Sequence, residues 1–260
     1  MTVFANYARY YDLLYKDKDY KVEVDFIDGL LKKFGNAPTS ILELGCGTAK
    51  HALILASKGY SIIGIDQSEE MLKAATIRRQ NEYPNARVEL IQGDACSVRI
   101  GKTVDAVISL FHVISYQTKN EELVNTFKTA AEHLTPGGVF LFDCWYGPTV
   151  LTDPPVVRVK RMENNEISVV RIAEPIVYPN ENVVNVNYTI IIKDKKSGSI
   201  EELQETHKMR YLFQPEIELL LKMTGFEFVF GKEWLKDNAP GFASWGAVFC
   251  GKKIKERSLF

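Results

Sequence analysis

Nothing in this 260-residue chain approaches the run of roughly 20 apolar residues that a bilayer-spanning helix needs. Its opening residues, MTVFANYARYYDLLYKDKDY, lack the basic-then-apolar order of a secretory signal, so the expectation is a cytoplasmic protein with no membrane partner. Cysteine is scarce: Cys46, Cys96, Cys144 and Cys250 are singletons about fifty or more residues apart, without a C-x-x-C pair, and read as free thiols. His51, His112, His133 and His207 are as scattered, so no zinc-ligand spacing exists and no metal is expected. An excess of either charge is missing too. With 32 basic and 33 acidic residues the formal charge is −1, which leaves no field to hold a nucleic-acid backbone. Any partner must be recognised locally, as a small molecule is. Hydrophobic residues at 46% and charged residues at 25% describe an ordinary folded domain rather than a disordered or fibrous chain.

What is present alternates helix and strand in the way that builds a parallel sheet covered on both faces, an α/β fold. Residues 21–34 place apolar side chains at 22, 26, 27, 30, 31 and 34, one face of a helix. Strands are predicted at 41–44, 61–66, 88–92, 104–110 and 139–143, with helices at about 49–58, 69–81 and 119–133 between them. TPGG at 135–138 reads as a turn before strand five. From Trp145 the pattern changes: residues 156–212 hold alternating segments joined by ENNE, YPNENV and KDKKSGS, an antiparallel block. A helix beginning at Pro215 stops at Gly225, and FEFVF and SWGAVFCGKK supply two last strands. No repeat or low-complexity linker separates these parts. The expectation is one domain, 1–260, with a β insertion at about 150–212 after strand five.

Glu43-Leu-Gly-Cys-Gly-Thr-Ala49 lies between a strand and a helix, and Asp66 ends the next strand. Gly45 and Gly47 permit a sharp turn and close approach of a ligand to the backbone. The helix that follows offers unpaired N–H groups to a negative group. Asp66 stands 19 residues after Gly47, the separation at which an acid at the tip of strand two reaches both ribose hydroxyls. A nucleoside is therefore expected. A dinucleotide fingerprint needs a third glycine where this chain has Lys50, which disfavours NAD. Glu43 would repel a pyrophosphate but welcome an ammonium such as that of S-adenosylmethionine.

ELGCGTA, GIDQSEEML, GDA at 93–95 and LTPGG at 134–138 resemble, in order, the motifs of class I S-adenosylmethionine-dependent methyltransferases, with their Rossmann-like sheet. The resemblance implies that Glu43, Gly45, Cys46 and Gly47 line the methionine part of the cofactor and that Asp66 holds the ribose. Gln67 flanks the adenine, Asp94 and Ala95 bind its edge, and Met71, Phe111, Tyr7 and Tyr11 complete the expected set. Family members often carry a third glycine where Ala49 stands. The aromatic N-terminus, the antiparallel block and ETHKMRYLFQPEIELLLKMTGFE are similar to the subgroup that N-methylates amino sugars carried on a nucleoside diphosphate. Ala243-Ser244-Trp245 departs from it, having tryptophan where those enzymes tend to place an arginine.

Phe4, Tyr7, Tyr11 and Tyr15 share one helical face, either a stripe packed on the sheet or a lid whose rings close over a sulfonium. Strand four ends in Ser109-Leu-Phe-His-Val-Ile-Ser-Tyr116, where open α/β sheets place ligands. His112, Tyr116 and Tyr11 are the candidates to accept or orient the acceptor's proton, with a structural histidine as the competing reading of His112. Trp145 and Tyr146 either wall the acceptor pocket or pack in the core. The Asp/Asn-Pro-Pro-aromatic sequence of nucleobase methyltransferases is missing after strand four, which argues against a nucleic-acid substrate. A neutral amine needs no base before attack, whereas an alcohol does; Asp143 alone stands near as a carboxylate, and the balance favours nitrogen. O-methylation of a small metabolite and a non-catalytic binding module remain the alternatives. Exposed strand edges in 156–212 make a homodimer plausible.

Overall fold

The computed structural model describes Tyr10 and residues 13–254. Helix α1 (Tyr20–Phe34) leads into β1 (Ser40–Leu44), α2 (Lys50–Ser57), β2 (Ser61–Asp66), α3 (Glu69–Glu82), β3 (Val88–Gln92) and β4 (Val104–Ser109). A 3₁₀ turn at Val113–Tyr116 precedes α4 (Asn120–His133), β5 (Leu134–Tyr146) and a short α5 (Gly147–Thr152). Strands β6 (Arg158–Glu163), β7 (Ile167–Tyr178), β8 (Val183–Asp194) and β9 (Ile200–Leu212) follow, then α6 (Gln214–Met223), β10 (Phe226–Glu233) and β11 (Gly246–Lys253). The α/β, Rossmann-like expectation holds. The main sheet runs β3-β2-β1-β4-β5-β11-β10, with β11 antiparallel to both its neighbours and the rest parallel.

The strands are buried on both faces because successive side chains point to opposite sides. Leu42, Phe140 and Phe142 join Phe127 of α4 and Leu221 of α6 in one core, while Ile41, Val139 and Leu141 join Ile27 of α1 and Leu53 of α2 in the other. Strand β5 starts earlier than the sequence pattern indicates. Leu134 pairs with Val104 and Val139 with Ala106, so the strand spends five residues where β4 spends two. TPGG is thus a bulged excursion within β5, with Gly137 at φ 83°.

The antiparallel block β6–β9 is a four-stranded meander that leaves the main sheet at one seam, where Trp145 and Tyr146 of β5 pair in parallel with Tyr211 and Leu212 of β9. Its face packs beside the carboxyl ends of the parallel strands, and that placement makes a wall over whatever binds there.

Ala49, the residue before α2, is wholly buried at φ 58° and ψ 26° and caps the helix without a side-chain bond. An L-residue is strained in this left-handed region, which is the physical reason a glycine suits the position. Ala49→Gly is expected to raise the unfolding free energy by about 0.5–1 kcal/mol, read by denaturant titration.

Candidate active site

A cavity of about 380 Å³ opens at the carboxyl ends of β1, β2 and β4 and runs under the meander. Its first half is built by the glycine loop. Gly45 sits at φ 76°, and a Cβ there would lie 2.6 Å from the side chain of Val113, so only glycine fits. The N–H groups of Gly45 and Cys46 both donate to the carbonyl of Ile65 at 2.8 Å, tying the loop to β2. Asp66 finishes the fastening. Its Oδ2 accepts from the Gly47 N–H at 2.8 Å and its Oδ1 from the Ser68 N–H at 2.9 Å. Burial raises the Asp66 pKa although those N–H groups favour the charged form. Ser68 caps α3 by accepting from the Met71 N–H, and Met71 faces the cavity.

Glu43 is the electrostatic oddity. It lies on β1 with 1% of its surface exposed, and its Oε2 finds no hydrogen-bond partner among the described residues. Burial, with the charge of Asp66 second, pushes its pKa up to about 8. The Nδ1 of His51 stands 3.9 Å from Oε1, too far for a hydrogen bond, because the other ring nitrogen is held 2.8 Å from Glu23 Oε2. Glu23 also takes Lys18 at 2.9 Å, and the Lys18 ammonium lies 3.2 Å from the centroid of the Phe111 ring. Glu23, His51 and Lys18 were not singled out by the sequence, since no local pattern announces contacts between α1, α2 and the segment before α1.

Phe111 and His112 occupy left-handed conformations at φ 66° and 63°, uncommon for such side chains. Asp143, 1% exposed, holds this turn by accepting the His112 N–H on both oxygens at 3.1 Å. The His112 Nδ1 is 2.7 Å from Asp143 Oδ2 yet makes no hydrogen bond among the described residues. Tyr116, at the end of the 3₁₀ turn, bonds through its hydroxyl to His207 Nδ1 at 2.8 Å, and His207 Nε2 lies 3.2 Å from Glu205 Oε2. His207 and Glu205 are two apart on β9 and so share a face. That alternation was the available signal for a pair the sequence reading left out.

The cavity brings together Gly45, Cys46, Gly47, Asp66, Gln67, Met71, Ala95, Phe111, His112 and Tyr116 of the expected residues. Glu43 does not line it but lies buried on β1 beside the glycine loop, and Asp94 does not line it either; with Gln67, Asp94 borders a neighbouring cleft, where its carboxylate accepts from the Cys96 N–H at 2.8 Å. Tyr7 and Tyr11 lie outside the described residues, while Tyr15 lines the cavity and meets Phe111 edge-on at 4.9 Å. Trp145 lines the cavity, but Tyr146, one step along β5, turns into the core. Trp245 stands edge-on to Trp145 at 5.8 Å and donates to Asp153 at 3.2 Å. Among the described residues no group of His, Cys, Asp and Glu is arranged to hold a metal.

The Glu43 charge has a measurable signature. Its proton is kept in the folded chain at pH values where the unfolded chain has released it, so its burial costs stability increasingly as pH rises from about 4.5 toward 8. Glu43→Gln is expected to match the wild type in unfolding free energy near pH 5 and to exceed it by a few kcal/mol at pH 8.5, measured by denaturant titration at each pH.

Residues 41–138 match the family model of a methyltransferase domain. A dTDP-3-amino-3,4,6-trideoxy-alpha-D-glucopyranose N,N-dimethyltransferase of Streptomyces venezuelae is 29% identical over 85% of this chain and 90% of its own length. The crystal structure of DesVI from Streptomyces venezuelae superposes with a TM-score of 0.76 at 26% identity, covering 95% of this chain and 98% of that one. An S-adenosylmethionine-dependent methyltransferase from Clostridium acetobutylicum shares the fold with a TM-score of 0.80 at 21% identity, over 94% and 96% of the two chains. Strand order, glycine loop and these similarities converge: residues 41–138 are a methyltransferase domain, and the enzyme is S-adenosylmethionine-dependent.

Proposed function

We propose that this methyltransferase acts on the amine of an amino sugar carried on a nucleoside diphosphate, and that the residues gathered at the cavity divide into a cofactor half and an acceptor half. The observation that carries the reading is the cavity's asymmetry. One end is lined by the glycine loop and the half-buried Asp66, with the Glu43 carboxylate buried on β1 beside that loop, and the other is faced by Trp145, Tyr188, His207 and Met209. Support for the sugar comes from the reaction named for the Streptomyces venezuelae relative, which covers 85% of this chain.

The cofactor half fits its group on three counts. Glu43 Oε2, buried without a described partner, suits an α-ammonium; Asp66, at the tip of β2, suits ribose hydroxyls; and the loop at Gly45 brings bare backbone to the cavity. When bound, S-adenosylmethionine supplies an electrophilic methyl group on a sulfonium. Gln67 and Ala95 border the adenine side, Met71 and Phe111 line the same cavity, and Asp94 is assigned to the adenine from the adjoining cleft. Tyr15 lines the same cavity beside Phe111, one face of whose ring is covered by the Lys18 ammonium. The protein's work is then mainly positional: it holds a neutral amine in line and excludes water, and only afterwards must a group take a proton.

A thymidine-diphosphate sugar must extend past the aromatic end of the cavity. Trp245 stands there with Asp153 where the resembled enzymes tend to carry an arginine, so the diphosphate is expected to remain largely in solvent. A cytoplasmic setting belongs to the same reading; among the described residues no helix is long and apolar enough to cross a membrane.

Incubation of the enzyme with labelled S-adenosylmethionine and dTDP-3-amino-3,6-dideoxyglucose, followed by mass spectrometry, is expected to place label on the sugar nitrogen. Label confined to an ether oxygen, or turnover of hydroxylated metabolites alone, would contradict the proposal.

A further inference from the structure

Two histidines face the acceptor half of the cavity, His112 and His207, and their surroundings differ in kind. Asp143 stands beside His112, but both its oxygens are engaged with the His112 backbone N–H, and the ring nitrogen 2.7 Å away makes no hydrogen bond there. His207, with 3% of its side chain exposed, is bonded on both ring nitrogens. Glu205 Oε2 accepts the Tyr10 hydroxyl at 3.0 Å and faces His207 Nε2 at 3.2 Å. A carboxylate oxygen accepts, so we assign the ring proton to Nε2, which then donates to Glu205. The Nδ1 of the neutral ring is then a bare acceptor, and the Tyr116 hydroxyl, 2.8 Å away, donates to it. With the ring proton assigned to Nε2, the chain of bonds runs from the Tyr116 hydroxyl through the imidazole to the carboxylate.

Tyr116 and His207 also stand on the boundary between two spaces. Both line the cavity described above, and both line the neighbouring cleft of about 400 Å³ that Glu122 and Lys208 border. A proton taken up on one side of this pair thus has a second side from which to leave.

We propose that Tyr116 is the catalytic residue that receives the acceptor's proton, with Glu205 and His207 as positioning residues that make the phenol able to receive it. The proposal rests on the amine reading above. The amine nitrogen forms the new N–C bond as the C–S bond breaks, and nitrogen becomes a positively charged ammonium. One ammonium proton passes to the Tyr116 oxygen while the phenol's own proton passes to His207 Nδ1. The phenol ends unchanged, the ring ends as imidazolium opposite the Glu205 carboxylate, and the extra proton departs to water through the cleft. No further reactant is required. A phenol alone could not do this, because its oxygen becomes a useful base only when its hydrogen has an acceptor.

Two measurements test the relay. In enzyme carrying ¹⁵N-labelled histidine, without ligands, the His207 resonances are expected to show a proton on Nε2 and a hydrogen-bonded, unprotonated Nδ1 that shifts in Tyr116→Phe. A proton on Nδ1 would overturn the proposal. With dTDP-3-amino-3,6-dideoxyglucose as acceptor, Tyr116→Phe and His207→Gln are expected to lower kcat by ~10²-fold while S-adenosylhomocysteine affinity, measured by calorimetry, stays that of the wild type. Added imidazole should restore part of the rate to His207→Ala. Undiminished kcat in Tyr116→Phe would overturn the relay as well. If the wild-type enzyme leaves this sugar unmethylated, the amine reading fails and the proton transfer to Tyr116 falls with it, whereas a wrong His207 tautomer in an enzyme that does methylate the sugar overturns the relay alone.

Discussion

A carboxylic acid buried without a full set of partners is costly, and this site is organised around one. Glu43 is the penultimate residue of β1, buried on the face it shares with Ile41 while Leu42 and Leu44 enter the opposite core. Desolvation and the nearby Asp66 oppose its ionisation. The fold tolerates this because two strong cores surround the loop and because Asp66 clamps Gly47 and Ser68. In the proposed reading, a ligand's ammonium completes the set, so the same feature that weakens the free protein would strengthen its complex.

The meander β6–β9 answers a different need. A parallel sheet offers a crevice at its strand ends but no opposite wall. Here the wall arrives through a single seam on β5, and it brings Tyr188, His207 and Met209 over the crevice. Lining of this kind is aromatic and polarisable rather than charged, which suits a small acceptor held in line more than a polyanion held by ion pairs. The polar groups within it are few and joined to one another, as a buried network must be if it is not to cost more than it contributes.

Much of this was legible in the sequence because it rests on short-range periodicity. Apolar alternation marked β1 through β5, and Gly45, Gly47 and Asp66 stand at the spacing that a strand-loop-helix unit and its neighbouring strand impose. Other features depend on registers that no local pattern reveals. Strand β5 was read as ending at Asp143; it continues to Tyr146, and two-residue alternation then sends Trp145 to the cavity, on the face it shares with the buried Asp143, and Tyr146 to the core with Cys144. Asp94 follows Gly93 around a turn that points its carboxylate at Cys96, which no spacing rule could foretell. The Tyr116–His207 bond spans 91 residues and exists only because β9 returns beside the turn after β4. The Glu23–His51 pair, 28 apart, likewise needs α1 folded against α2.

The central claim is that Glu43 stays protonated in the free enzyme near neutral pH and gives up its proton when a cationic group meets it. Calorimetric titration with S-adenosylhomocysteine at pH 7, repeated in buffers of different ionisation enthalpy, counts the protons exchanged on binding. The account predicts release of about one proton per site, abolished in Glu43→Gln. Binding with no net proton release by the wild type would contradict it.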